Sequence, residues 1–466
     1  MEELRLSGQI SLYVTHRITR RDLLAGAALT GAAWATGGRA LASTGATSRP
    51  DGPAGSDRTV LGPGDRPYPN RPAGTESFPQ IQHIVVLMME NHSFDNHLGA
   101  LDRPGVDRLT FRGGRAVNSN PAPGGGLVYA TPAPSACQVG YRISQSWDAS
   151  HKSWNYGLND GFVAQCGPQS MFYYTPEQFP FYYALASVFP LCDRYFASVM
   201  AQTYPNRRFL MAGSAFGQVG DPLPSPTDPD PRPAGFGTVF DMLNAFGISW
   251  KDYFSDLPTS GLFPYVIEQN PTKVVPVAEF FVDCEAGTLP GFSLVETEYQ
   301  EGSEENPQDA QVGAYFAYRV IDAVMRSPSW RSTVLILNFD EHGGYYDHVP
   351  PQPAVRPDGI VPAVGSDTYG DLYSWTGFRV PAVVVSPWAK KDYVSHTLYD
   401  HTSVLRLVES KWNLPALSAR DANANNMLDC LDFGRPFFLV PPALKPAVVP
   451  GGAPACIAAD PTAAIP

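Results

Sequence analysis

Two seven-residue runs constrain this chain more than any other feature. His83-Ile84-Val85-Val86-Leu87-Met88-Met89 and Thr333-Val334-Leu335-Ile336-Leu337-Asn338-Phe339 are almost continuously apolar and rich in β-branched residues. A strand with one wet face would alternate polar and apolar positions. Short runs without alternation are strands buried on both faces, as in a parallel sheet covered by helices. A third run, Val380 to Val385, has the same character. Helical spacing of apolar residues covers Thr238 to Phe246 and Ala310 to Met325, the second stopping at Ser327-Pro328. Strands alternating with helices predict an α/β fold: a doubly wound, mainly parallel central sheet flanked by helices. A hydrophobic content of 44% and a charged content of 17% supply the core, and 46 prolines and 42 glycines predict loop insertions over it.

Each long run stops at charge. The first ends in Glu90-Asn91-His92-Ser93-Phe94-Asp95 and the second in Asp340-Glu341-His342-Gly343-Gly344-Tyr345-Tyr346-Asp347-His348. Open α/β sheets bind ligands at the carboxyl ends of their strands. Two adjacent carboxylates there repel unless a cation lies beside them, and a Gly-Gly pair lets backbone turn tightly against a ligand. Asn91 or Ser93 reads equally well as a helix cap, but a cap does not account for Glu90. After the third run, His396 and Asp400-His401-Thr402-Ser403 read either as site residues or as a helix start. The net charge of −12 argues against a nucleic-acid partner. The six cysteines form no C-x-x-C pair, which argues against thiolate zinc. Disulfides and buried free thiols both remain open for them.

The N-terminus reads as an address. Thr19-Arg20-Arg21-Asp22-Leu23-Leu24, a soft Ala/Gly-rich stretch from Ala25 to Thr36, and Ala40-Leu41-Ala42 resemble a twin-arginine signal peptide. This predicts the twin-arginine export machinery as a partner and a location outside the cytoplasm: extracellular, periplasmic or cell-wall associated. The expected organisation is a signal at 1–42, a flexible segment at 43–78, one catalytic domain at 79–440 and a Pro/Ala-rich tail at 441–466.

Four blocks together resemble one family. Ile84 to Asp95, Ser150-His151-Lys152-x-Trp154-Asn155, Gln202-Thr203-Tyr204-Pro205-Asn206-Arg207 and Asp340 to Val349 are similar, in order, to the signatures of the phosphoesterase family that holds bacterial and plant non-specific phospholipases C and related acid phosphatases. The resemblance spans roughly Ile81 to Leu414. It implies an alkaline-phosphatase-like fold, with Glu90, Asn91, Thr203, Asp340 and Glu341 as ligands of a divalent metal ion. It also implies Thr203 as nucleophile, His151 as a catalytic group at the phosphoryl or leaving group, and Asn91, His151 and Asn306 as phosphate contacts. Two positions depart from the family pattern. His92 stands where Arg is usual, and Asn306 of Glu305-Asn306-Pro307 stands where a His-Pro pair is usual. An amide donates a hydrogen bond but does not shuttle a proton. Longer bacterial relatives continue past the catalytic domain, so no accessory membrane-binding domain is expected after this one.

The implied set makes chemical sense. A threonine hydroxyl is a weak nucleophile until a metal lowers its pKa and fixes it in line. Oxygen ligands favour Ca, Mg or Mn, with Zn still open. Arg207, His342 and His348 are expected to hold carboxylates in place rather than bind the ion. Asp95 and Asp347 are expected in turns or caps. Thr203 also reads as a simple helix N-cap. The aromatic run from Phe172 to Tyr183 either lines a lipid-facing cleft or packs beneath a loop. The activity implied is a phospholipase C on phospholipid or small phosphate-ester substrates, with transient contact to a membrane surface. An acid phosphatase with the same nucleophile is the alternative, and a non-catalytic phosphate- or metal-binding protein a distant one.

Overall fold

The computed structural model describes residues 60–449 apart from 139, 142, 226–229, 233–236, 300–301 and 365–368, together with Cys456. The expected signal peptide and most of the expected tail lie outside the described residues.

Both apolar runs are strands, and they are neighbours. In chain order the strands of the main sheet are β1 (His83–Met89), β2 (Leu191–Cys192), β3 (Trp250–Phe254), β4 (Val274–Pro276), β5 (Phe292–Glu296), β6 (Thr333–Phe339), β7 (Ala382–Val385) and β8 (Val394–Ser395). They lie in the order β4-β3-β5-β1-β6-β7-β2-β8. Every pairing is parallel except the two made by β7, which runs against β6 and β2. The sheet is therefore mainly parallel and winds outward from β1 in both directions. All of β6, and all of β1 beyond His83, is buried, which explains the missing polar alternation.

Helices occupy the crossovers. Those that matter here are α1 (Phe94–Leu98), α2 (Trp147–Trp154), α3 (Thr203–Ala212), α4 (Val239–Ala245), α5 (Ala310–Arg326) and α6 (Thr402–Trp412). α4 starts at a capping box made by Thr238 and Asp241. α5 is capped by Asp309 and stops at Ser327, where Pro328 offers no N–H to continue. Its buried face (Ala310, Gly313, Ala314, Ala317, Val320, Ile321, Val324) repeats at three and four residues and packs on β1 and β6. A Cβ at Gly313 would come 2.4 Å from Glu304 Cγ and 3.1 Å from Glu304 N. Glycine here lets the Glu304–Glu305 segment lie directly on the helix.

One expectation needs correction. Residues 60–78 are not a free segment. Tyr68 N donates to Asn413 Oδ1 (3.0 Å), and Asn413 Nδ2 donates to the carbonyls of Tyr68, Arg71 and Pro72 (2.9–3.0 Å). Asn413 ends α6 in a left-handed conformation, which frees its amide to hold a stretch with no regular structure of its own. Of the two readings of the aromatic run, packing is the one observed: Tyr173, Tyr174, Phe179, Phe181, Tyr182 and Tyr183 are buried in the core. The cysteines divide between the two readings. Cys137 and Cys456 form a disulfide, while Cys166, Cys192, Cys284 and Cys430 are buried thiols.

Ile336 is fully buried at the centre of the sheet, paired between β1 and β7. Ile336→Ala is expected to cost about 2–5 kcal/mol of unfolding free energy in denaturant titration, the range for large-to-small changes at sites that cannot collapse.

Candidate active site

The register of the sheet assembles the site. Met89 pairs with Phe339, so Glu90 and Asp340 leave neighbouring strands side by side, and Asp340 N donates to Met89 O (3.1 Å). On the other flank Met88 pairs with Glu296, the last residue of β5. The turns then interlock. Asn91 adopts a left-handed φ of 50° and its N–H donates to Asp340 Oδ1 (2.9 Å), while His92 N donates to Glu341 O (3.0 Å). Gly343 has φ 63°, and a Cβ there would meet Asn91 O at 2.8 Å, so glycine is required for this close approach.

A third segment reaches the same place. Thr203 opens α3, and Arg207 lies one turn on along the same face. Thr203 Oγ1 donates to Glu90 Oε2 at 3.3 Å. Thr203 is not the helix cap: that position belongs to Gln202, whose side chain makes no cap bond. Arg207 donates to Glu90 Oε1 (2.7 Å), Asp340 Oδ2 (3.3 Å) and Glu296 Oε2 (3.3 Å). Glu341 Oε2 accepts from Gly343 N (2.8 Å) and lies 3.1 Å from His342 Nδ1. The structure thus brings together Glu90, Asn91, Thr203, Arg207, Asp340, Glu341 and His342.

Charge is out of balance in this cluster. Glu90, Asp340 and Glu341 are all fully buried. Burial first, and the Asp340 carboxylate next, push the Glu90 and Glu341 carboxyls well above their usual range, and Arg207 only partly offsets this at Glu90. Two further acids join them. Burial, then Asp340, raise Glu305 to about 7; burial and the same neighbour raise Asp221 to about 6. Glu305 accepts from Gln145 Nε2 (3.2 Å) and faces the Asn91 amide, near enough for that amide to lower its pKa but outside hydrogen-bond geometry. Asp221 Oδ1 accepts from Tyr204 N (2.7 Å), at the start of α3. Neither acid follows an apolar strand, so strand-end reasoning missed both. Glu305 had one signal, its place beside Asn306; Asp221, in a Gly/Pro loop, had none.

Several buried polar atoms have no hydrogen-bond partner: both amide atoms of Asn91, Glu341 Oε1 and His342 Nε2. Orphans of this kind are costly unless something occupies the space between them. Oxygen donors on Glu90, Asn91, Thr203, Asp340 and Glu341, surrounded by excess negative charge, fit a hard divalent cation.

Other predicted residues lie elsewhere. His151 sits on α2, with Nδ1 donating to Trp147 O (2.7 Å) and Nε2 3.5 Å from Asp371 Oδ2. It makes no hydrogen bond to the acidic cluster. Asn306 is half-buried before the cis Asn306-Pro307 bond and, among the described residues, makes no hydrogen bond to the cluster. His348 does not brace Glu341 or Asp340, which corrects the expectation for it. It bonds Asp95 (2.7 Å) and Asp107 (2.9 Å), in a network where Arg379 holds Asp347 (2.8 Å) and Asp95 (3.2 Å). A second buried cluster, His92, His97 and Glu304, also brings three ligand-type groups together. Its polar atoms are already engaged: His92 Nε2 donates to Glu304 O (2.8 Å), His97 Nε2 lies 2.6 Å from Glu304 Oε2, and Tyr182 OH donates to Glu304.

The chain is 30% identical over 402 residues to a non-hemolytic phospholipase C of Pseudomonas aeruginosa, covering 76% of this chain and 58% of that one. It is 31% identical to a non-specific phospholipase C of Arabidopsis thaliana, covering 73% of this chain and 69% of that one, and 30% identical to phospholipase C B of Mycobacterium tuberculosis, covering 76% and 78%. The chain therefore spans little more than half the length of the Pseudomonas relative. Residues 81–415 match the profile of the Phosphoesterase family over the strands, turns and helices that build the site, and the chain belongs to that family.

Proposed function

We propose that this chain is a metal-dependent phosphoesterase of the phospholipase C type, acting through a covalent phospho-threonine at Thr203. The observation that carries the reading is the Thr203 hydroxyl, 3.3 Å from Glu90 within a cluster of buried acids from two other segments. Glu90, Asn91, Thr203, Asp340 and Glu341 would hold a divalent cation, which would supply the charge neutralisation that both the acids and the phosphoryl group need.

The residues of the chain divide the remaining work. Thr203 Oγ1 gives its proton to Glu90 Oε2 and attacks phosphorus, so the Oγ1–P bond forms as the bond to the glyceride oxygen breaks and that oxygen takes up a proton from solvent. Arg207 keeps Glu90 and Asp340 in register while they do this. The unpartnered Asn91 amide donates to a phosphoryl oxygen. His151 is fixed in one tautomer, because a carbonyl only accepts and Nδ1 must therefore carry the proton toward Trp147 O. Nε2 then carries the lone pair, so at that nitrogen His151 accepts a hydrogen bond rather than donating one. Asn306 contributes at most a hydrogen bond. Water in a second step cleaves the phospho-threonine and restores the hydroxyl. Export through the twin-arginine route fits an enzyme that loads its metal in the cytoplasm and then meets lipid outside.

Thr203→Ala should lower turnover of p-nitrophenylphosphorylcholine by at least ~10³-fold, with Thr203→Ser retaining a measurable fraction. Equal activity of wild type and Thr203→Ala would remove the covalent route. Preference for p-nitrophenyl phosphate over the choline diester would select the acid phosphatase reading.

Chelation should abolish activity, and one of Ca, Mg, Mn or Zn should restore it. It should also expose a pH dependence of stability. Glu305 at about 7 and Asp221 at about 6 lie above their ordinary values of 4.5 and 3.8, so the folded protein binds more protons than the unfolded chain across that window. Stability of the metal-free protein should therefore fall as pH rises from about 4 through about 7. A calorimetric Tm that rises with pH over this range would contradict it; added divalent cation should flatten the profile.

A further inference from the structure

The chain closes with a strap. After a 3-10 turn at Leu428–Cys430, the described residues 431–449 contain no helix or strand. A stretch of this kind is held by separate contacts. Asp432 N donates to Trp388 O (2.8 Å), Phe438 N donates to Pro387 O (3.1 Å), and Trp330 Nε1 donates to Phe438 O (2.9 Å). Its far end is covalent: Cys456 is joined to Cys137. Its near end carries a second pair of sulfurs. Cys430 Sγ lies 3.8 Å from Sγ of Cys192, the last residue of β2, and both residues are fully buried. A disulfide needs about 2.05 Å between sulfurs, so the gap left is about 1.8 Å, which side-chain rotation can close. The other two free thiols have no such neighbour. Among the described residues, neither Cys166 nor Cys284 has a second sulfur within hydrogen-bond range; Cys166 Sγ donates to Ser144 O (3.3 Å).

The two sulfurs differ in access. Cys192 lies inside the sheet, between β7 and β8. Cys430 follows segment 423–429, which is exposed or half-buried apart from Met427. The turn that carries it starts at Met427, held at φ 60°, an uncommon conformation for a residue with a long side chain. Opening this one short turn uncovers Cys430, whereas Cys192 is uncovered only when strands part. The hydrogen bond to Cys430 first, and burial next, also hold the Cys192 thiol well above its usual range. Since the thiolate is the nucleophile, this disfavours Cys192 as the first to react.

We propose that Cys192 and Cys430 are a redox modification site that closes to a disulfide on meeting a low-molecular-weight disulfide such as oxidised glutathione, pinning the near end of the strap as Cys137 and Cys456 pin its far end. Cys430 is the entry thiol. Its sulfur loses a proton, attacks one sulfur of the oxidant and releases one thiol. The Cys192 sulfur then loses its proton, attacks the Cys430 sulfur of the mixed disulfide and releases the second thiol. The two cysteines are oxidised by two electrons, and the oxidant is reduced to two thiols that take up the two protons. With export as proposed above, the pair is kept reduced in the cytoplasm and meets oxidant outside. Neither cysteine belongs to the acidic cluster, so the site stands apart from the phosphoesterase reading.

The test incubates full-length protein with oxidised glutathione, blocks the remaining thiols with N-ethylmaleimide, and reads the protease digest by mass spectrometry. The peptides holding Cys192 and Cys430 should be found joined, with Cys166 and Cys284 alkylated. Alkylation of both Cys192 and Cys430 would overturn the proposal, as would cross-links spread evenly over the four thiols. Cys192→Ala should trap glutathione on Cys430, and Cys430→Ala should leave Cys192 unmodified; the reverse pattern would remove Cys430 as the entry thiol. The closed bridge spans a sequence separation of 238 residues, so oxidation should raise the Tm of wild type by about 3 °C or more. The Cys192→Ala, Cys430→Ala double variant should show no such shift. An equal shift in the double variant would overturn the pinning of the strap.

Discussion

One guanidinium holds the centre of this molecule. Arg207 donates to carboxylates at the ends of three adjacent strands, β5, β1 and β6, through Glu296, Glu90 and Asp340. Each of those groups is buried, and removing a charge from water is repaid only by close, well-made pairs. Arg207 carries one positive charge against three carboxylates, so the strand ends keep an excess of negative charge. Arg207 lies on α3, so the same bonds that steady the acids also dock the helix and aim Thr203 at Glu90. Orientation of the hydroxyl and relief of strand-end repulsion are a single event.

Around this centre, two buried polar assemblies fix the turns. His92 is stacked between His97 (4.2 Å) and Tyr345 (4.8 Å) and holds the Glu304 carbonyl. Burial first, and then its neighbour His97, press its pKa down to about 3, so it acts as a neutral ring. A charged side chain would need a counter-ion there, and the nearest acid, Glu304, is itself raised to about 8 by burial. The other assembly joins Asp95 and Asp347, one from each strand-end motif, through Arg379 and His348. The two motifs are thus fastened twice, by backbone interlock near the site and by ion pairs below it.

What the sequence could show follows from what kind of signal each element left. β1 and β6 were legible because burial on both faces erased polar alternation, and the acids after them stood out against that background. α4 and α5 were legible through capping and proline chemistry. The edge strands of two and three residues left no periodicity. The anchored segment 60–78 reads as flexible by composition, and distant partners, Lys411, Asn413, Ala416 and Asn423, make it otherwise. Glu305 and Asp221 escaped because a long-range approach, not a local pattern, brings them in. His348 misled for the opposite reason: nearness in sequence to Glu341 suggested nearness in role, while the Gly343–Gly344 turn carries it away to Asp95.

Gly313 carries a larger consequence than its size suggests. It has no polar group and stands on a helix behind the site, yet its missing Cβ is what lets Glu304 settle 2.4 Å from where that carbon would be. Glu304 is anchored in the histidine stack, and Glu305 is the next residue along. The α-carbon of residue 313 therefore works as a spacer of fixed thickness. Any added bulk acts as a shim between helix and strap, and the displacement is passed on to the Glu305 carboxyl.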